Sequence, residues 1–196
     1  LARPIAKDHD AKRSHILRVA AELFATEGFD RASMAQLAQA CGISKANIYH
    51  YYDSKDALLF DILDSYLSGL RDRICSLDLI GPPGEQLHML IRDILLAYKG
   101  SDHEHRVQIT GIDRLPDAQR TRLRAYQRDM VHRLSDVLTD VSPALARDKV
   151  HLRHTTMSIF GMLNWYYMWN TGAGTAAREA YARHVTDLTL RGIAGD

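Results

Sequence analysis

The sequence predicts an all-α protein of about nine helices. Apolar residues recur at spacings of three and four, no segment shows the two-residue alternation of a half-buried strand, and glycine and proline fall where helices would end. The 196 residues suit one large or two small domains, and 46% apolar with 25% charged is an ordinary globular balance. No apolar run approaches the ~18–20 residues that span a bilayer. The opening Leu1-Ala2-Arg3-Pro4-Ile5-Ala6-Lys7-Asp8 holds no apolar signal core. Two cysteines, Cys41 and Cys75, are too few for a disulfide scaffold. We therefore expect reduced thiols and a cytoplasmic protein.

Ile16, Val19, Leu23 and Phe24 form the apolar face of a first helix over about 11–27. Gly28 stops it, and Phe29 is placed to fold back on its last turn. Ser33-Met34-Ala35-Gln36 is a capping-box pattern that opens a short helix over about 33–40. Cys41-Gly42-Ile43 makes a turn, and Ser44 caps a third helix over about 44–50. A fourth starts at Asp53-Ser54-Lys55, and Leu58, Leu59, Ile62, Leu63, Leu67, Leu70 and Ile74 carry it to about 76. That is ~34 Å of helix. Pro82 and Pro83 break the chain, and helices follow over about 85–99 and 106–113. Pro116 opens a long helix with the stripe Leu123, Tyr126, Met130, Leu134, Val137 and Leu138. The last two run over about 143–170 and 176–193. The predicted domains are residues 1–55 and 56–196, joined by the fourth helix.

Two short helices, a glycine-containing turn and a preceding packing helix make a helix-turn-helix at 33–50. Gly42 permits the left-handed turn, and Ala38 and Ile43 lock the pair. The same junction also occurs in structural bundles, so the chemistry of the third helix decides. Ser44, Lys45, Asn47, Tyr49, His50 and Tyr51 are short or planar donors and acceptors suited to base edges and phosphates. Residues 1–55 carry eight Lys/Arg against six acids, and no carboxylate occurs from Ala32 to Tyr52. Such a surface approaches phosphates without like-charge repulsion. Lys55 lies at a helix start, where the dipole favours an anion.

Ile16-Leu17, Ala21-Glu22-Leu23-Phe24, Glu27-Gly28-Phe29, Ser33 to Ala38, Cys41 to Lys45 and Ile48 to Leu58 together resemble the DNA-binding domain of the TetR/AcrR family of transcriptional repressors. The resemblance spans Arg13 to Leu63, about a quarter of the chain. It implies that Tyr49 and Lys55 hold phosphates, that Lys45, Asn47 and Tyr51 meet bases or flanking phosphates, and that Ser33 donates to the DNA backbone. The family's Tyr-x-His-Phe ending reads Tyr49-His50-Tyr51-Tyr52 here, which makes Tyr52 the core aromatic and Tyr51 the DNA-facing one. Arg3, Lys7, Lys12 and Arg13 form either a basic arm or a solvated tail.

Residues 157–169 are apolar almost all round the helix, so cover is needed on more than one side. A core with a ligand cavity on one side and a second subunit on the other supply it. Phe160, Asn164, Trp165, Tyr167 and Met168, with Tyr126 and Met130 from the preceding long helix, are the candidate ligand-binding residues. Ordinary core packing is the competing account of the same stripe. The family resemblance implies a homodimer through about 145–170 and 175–193 on a near-palindromic duplex operator, with a small-molecule effector. Asp8-His9-Asp10, Tyr49 to Tyr52 and Gly161 to Trp165 are similar to the branch controlling aromatic- and fatty-acid degradation in response to acyl-CoA thioesters. Arg120, Arg122, Arg124, Arg128 and Arg133 offer cations for CoA phosphates, or simply a solvated helix face.

His103-Glu104-His105 and the pair His151/His154 lack a complete ligand set, so no metal and no cofactor are expected. No glycine-rich phosphate loop, nucleophile elbow or carboxylate pair appears, which argues against an enzyme. The expected protein is a ligand-responsive repressor. The alternatives are a constitutive DNA-binding regulator and a helical enzyme with a structural helix-turn-helix.

Overall fold

A computed structural model of the chain describes the backbone of residues 3–193 and the side chains of residues 9–193. Among the described residues the structure is helical without strands. The helices are α1 (Arg3–Glu27), α2 (Met34–Ala40), α3 (Lys45–Tyr51), α4 (Lys55–Cys75), α5 (Pro83–Ala97), α6 (Asp102–Gly111), α7 (Asp117–Val141), α8 (Pro143–Arg147), α9 (Lys149–Trp169) and α10 (Thr175–Ile193). A 3-10 turn, Ile112–Arg114, joins α6 to α7. None of these helices is long and apolar enough to cross a membrane.

Three boundaries differ from the sequence reading. The first helix begins at Arg3 rather than near 11, because Ala, Lys, Asp and Arg carry it upstream of its apolar face and Pro4 sits in the tolerated first turn. The expected arm is therefore a helical extension; the side chains of Arg3 and Lys7 lie outside the described residues. The polar stretch before 106 is already helical from Asp102, with His105 and Val107 turned inward. The single helix expected over 143–170 breaks at Asp148, whose carboxylate accepts from the amides of Val150 and His151 and so starts α9 afresh.

The chain divides into two compact units. The first runs through Leu67 and adds residues 103–123; the second comprises 68–102 and 124 onward. In the first unit, Gly28 (φ +84°) ends α1, and Phe29 meets Phe24 edge-on at 5.1 Å. Ile16, Ala20, Phe24, Leu37, Ile48, Leu58, Leu59 and Ile62 form its core. Each fully buried leucine or isoleucine contributes about 1.5–3 kcal/mol relative to exposure. Tyr52 is buried and donates its phenol to Asp61, which also receives Arg13. Burial, then the Asp61 hydrogen bond, pushes the Tyr52 phenol well above its ordinary range, so it remains a donor. Arg114 forks onto the Asp30 carboxylate with both contacts at 2.7 Å and lies over the Phe29 ring.

In the second unit α10 packs along α5, with Leu87, Leu90, Ile91, Ile94 and Leu95 opposing Ala182 and Val185. Arg178, 2% exposed, donates to the carbonyls of Ala173 and Leu95 and pairs with Asp102 at 3.7 Å. That satisfies a charge which would otherwise be costly to bury.

Lys55 has an unexpected task. Its ammonium donates to the carbonyls of Phe29 (2.8 Å), Asp30 (3.3 Å) and Ala32 (2.7 Å) and lies 4.8 Å from the Phe29 ring centroid. An ammonium has three donors, and all three are engaged. Lys55 ties the α1–α2 loop to the start of α4. Lys55→Ala should therefore lower stability by about 1–3 kcal/mol. In urea titration the midpoint should fall with the slope unchanged; an unshifted midpoint would contradict this role.

Candidate nucleic-acid interface

The capping chemistry read from the sequence is present. The Ser33 hydroxyl accepts from the Gln36 amide at 3.2 Å, and the Gln36 side chain accepts from the Ser33 amide at 2.9 Å. Ser44 accepts from the Asn47 amide at 3.1 Å. Gly42 takes φ +66°, and the Ile43 amide reaches back to the Ala38 carbonyl at 3.0 Å. These bonds fix α2 and α3 as a helix-turn-helix.

Ile48 is the buried residue of α3. Lys45, Asn47, Tyr49 and His50 are exposed, Tyr49 by 43%. The helix thus presents most of its length outward. Lys45 lies 5.9 Å from the Tyr49 ring centroid, which keeps a cation and a phenol side by side on this face. The described carboxylates adjoining it in sequence, Asp30 and Asp53, lie outside the acid-free stretch of 32–52.

The structure separates the eight candidate DNA-binding residues by what their atoms already do. Ser44, Lys45, Asn47, Tyr49 and His50 stand exposed on or beside α3. Ser33 is exposed too, but its hydroxyl proton goes to the Gln36 side chain at 2.9 Å, so it serves the α2 cap. Tyr51 is half-buried, stacked on His9 of α1 at 5.0 Å and edge-on to His50 at 5.7 Å. Lys55 gives its three donors to carbonyls instead of presenting them to a phosphate. His9 escaped the sequence reading because its ring reaches Tyr51 only through the packing of α1 on the helix-turn-helix.

The seven candidate ligand-binding residues divide between buried, half-buried and exposed positions. Met130, Phe160 and Tyr167 are buried. Asn164 is half-buried and accepts from the Tyr98 phenol at 2.8 Å. Burial pushes that phenol far above its usual range. Tyr126 lies beneath Arg71, 5.1 Å from its ring centroid. Trp165 and Met168 are 58% and 48% exposed, as are Trp169 and Leu188 to a similar degree. A helix apolar all round has an inner and an outer face, and periodicity does not say which covering each residue receives. Tyr166 and Tyr181, absent from the expected set, stack at 4.5 Å.

A groove of about 590 Å³ lies elsewhere in the second unit, between α7 and α9. Arg124, Arg128, His132, Lys149 and Arg153 surround it, and Val131, Leu152 and Met157 supply its apolar surface. None of the seven expected ligand residues lines it. The spacing of four along 124, 128 and 132 is visible in the sequence, but its pairing with 149 and 153 needs the tertiary fold. Among the described residues, no group of three or more metal-ligating side chains is present.

Residues 16–62 match the model of bacterial regulatory proteins of the tetR family, and residues 81–193 match the tetracyclin repressor-like C-terminal domain. A crystal structure of a TetR-family transcriptional regulator from Bordetella parapertussis is 34% identical. Its TM-score is 0.84, with 91% of this chain and 93% of that one covered. The HTH-type transcriptional repressor KstR2 of Rhodococcus jostii is 36% identical over 70 residues, 34% of each chain. AibR, solved in complex with isovaleryl coenzyme A and operator DNA, is 24% identical with TM-score 0.74, covering 90% of this chain and 97% of that one. The first curated relatives are matched over 57% of their length or less. With both halves of the domain pair matched, the chain belongs to the TetR/AcrR family of transcriptional regulators, which bind DNA and are not enzymes.

Proposed function

We propose that the protein is a cytoplasmic, dimeric repressor that holds a near-palindromic operator and releases it on binding a small hydrophobic or aromatic effector, an acyl-CoA thioester among them. Residues 1–55 read the DNA, and 56–196 bind the effector and pair. The observation that carries the DNA role is the attachment of α3 through Ile48 while Lys45, Asn47, Tyr49 and His50 stand exposed. Asn47 and Lys45 read base edges in the major groove, and Tyr49 and Ser44 hold flanking phosphates. His9 positions Tyr51 beside them.

Pairing uses the outward apolar face of α9 and α10. Trp165, Met168, Trp169 and Leu188 are each 48–58% exposed, and large apolar side chains left exposed on neighbouring helices suit an interface. A twofold dimer presents two recognition helices ~34 Å apart, one turn of DNA. The effector reading draws on AibR, whose structure holds isovaleryl coenzyme A with operator DNA. An effector binding the released state about 100-fold better tilts the equilibrium by ~2.7 kcal/mol, enough to empty a modestly occupied operator.

Two outcomes are expected. In mobility-shift titrations Asn47→Ala should relax sequence preference by about 1–3 kcal/mol per contacted base pair, while Lys45→Ala should lower affinity and flatten the salt dependence. Unchanged binding by both variants would refute the assignment of α3. In sedimentation, Trp165→Glu with Trp169→Glu should convert dimer to monomer; a dimer that persists would place the interface elsewhere.

A further inference from the structure

We propose that the α7–α9 groove binds a phosphorylated amphiphile, a polyphosphate head joined to an apolar chain, and that Arg128, Lys149 and Arg153 hold the head. Arg124, Arg128 and His132 follow one another at spacings of four on α7, and Lys149 and Arg153 are spaced i, i+4 on α9, so both walls of the groove present basic groups. Among the described residues no carboxylate lines the groove. Arg128, His132, Lys149 and Arg153 have no ion pair or hydrogen bond among the described residues, although acids are nearly as numerous as bases in the chain. Asp148, next to Lys149, is committed to the amides that start α9. The cations of Arg128, Lys149 and Arg153, gathered without acids, repel one another, and an anionic ligand relieves that repulsion.

The two hydroxyls of the lining, Ser135 and Thr156, are already engaged. Thr156, fully buried, donates to the Leu152 carbonyl at 2.8 Å. Its oxygen lies 3.1 Å from the Ser135 hydroxyl, which must then be the donor of that pair. What the lining offers a ligand is the apolar surface of Val131, Leu152 and Met157, the Gln127 amide and the flanking cations. A volume of about 590 Å³ is that of a small-molecule site. A lining that is both apolar and polycationic selects a molecule having both characters. A bare polyanion leaves the apolar surface uncovered, and a simple fatty acid brings one charge for several cations.

That this ligand is the effector rests on the regulatory reading above; its binding to the groove does not. The test is calorimetric titration of the full chain with octanoyl-coenzyme A, coenzyme A, octanoate and pyrophosphate, in the absence of DNA. Octanoyl-coenzyme A should bind at least tenfold more tightly than any of the other three. Arg128→Ala and Arg153→Ala should each weaken it roughly tenfold (about 1.4 kcal/mol), and Arg128→Glu with Arg153→Glu should abolish it. Arg183→Ala, on the exposed side of α10 and outside the groove, should leave it unchanged. No binding by the wild type, equal binding by the groove variants, an equal loss in Arg183→Ala, or pyrophosphate binding as tight as the thioester would each overturn the proposal. Operator affinity measured on the same variants separates the two readings, because a groove that binds nothing leaves operator binding intact.

Discussion

A helix of seven residues has too few internal hydrogen bonds to persist in water by itself. What makes α3 a helix is the burial of Ile48, the Ser44 cap at its start and the left-handed Gly42 that aims it away from α2. Because a single side chain anchors it, the remaining positions are freed from core duty. Donors and acceptors can occupy them without leaving polar groups buried and unpaired. The same economy makes the element vulnerable, since besides buried Ile48 and half-buried Tyr51 little of α3 is packed.

Around that anchor the first unit is held by charges used as fasteners. Lys55 gathers three carbonyls of the α1–α2 loop, Asp61 joins Tyr52 to Arg13, and Arg114 forks onto Asp30 beside Phe29. Loop carbonyls have no helical partner, and a cation with several donors satisfies them at one point. This explains why a lysine at a helix start, placed well for an anion by the dipole, is turned toward protein. Three carbonyls lie within hydrogen-bond reach of the ammonium and take its donors.

The features legible in the sequence were those that depend on neighbours along the chain. Gly28, the Ser33–Gln36 box, Gly42 and Ser44 each act within four residues, and the structure places each in its predicted role. Tyr52 as the core aromatic was implied by the family resemblance of Tyr49 to Tyr52, and it is buried. The first half of α1 was missed because it has no apolar face, and the break at Asp148 was hidden by apolar periodicity continuing across it. The division of α9 into a buried Phe160–Tyr167 side and an exposed Trp165–Met168 side depends on which neighbours cover it. The basic groove needs α7 and α9 adjacent, and the stack of His9 on Tyr51 needs α1 beside α3. Neither adjacency leaves a mark within a short stretch of sequence.

The central claim is that the outward face of α3 enters the major groove, once from each subunit of a twofold pair. Guanine N7 methylation interference on an operator selected from random duplex tests it most directly, because N7 lies in the major groove. The account predicts two symmetric clusters of interfering guanines separated by one helical turn or a whole number of turns. A single cluster, or binding indifferent to N7 methylation on an operator with guanines in both half-sites, would contradict it.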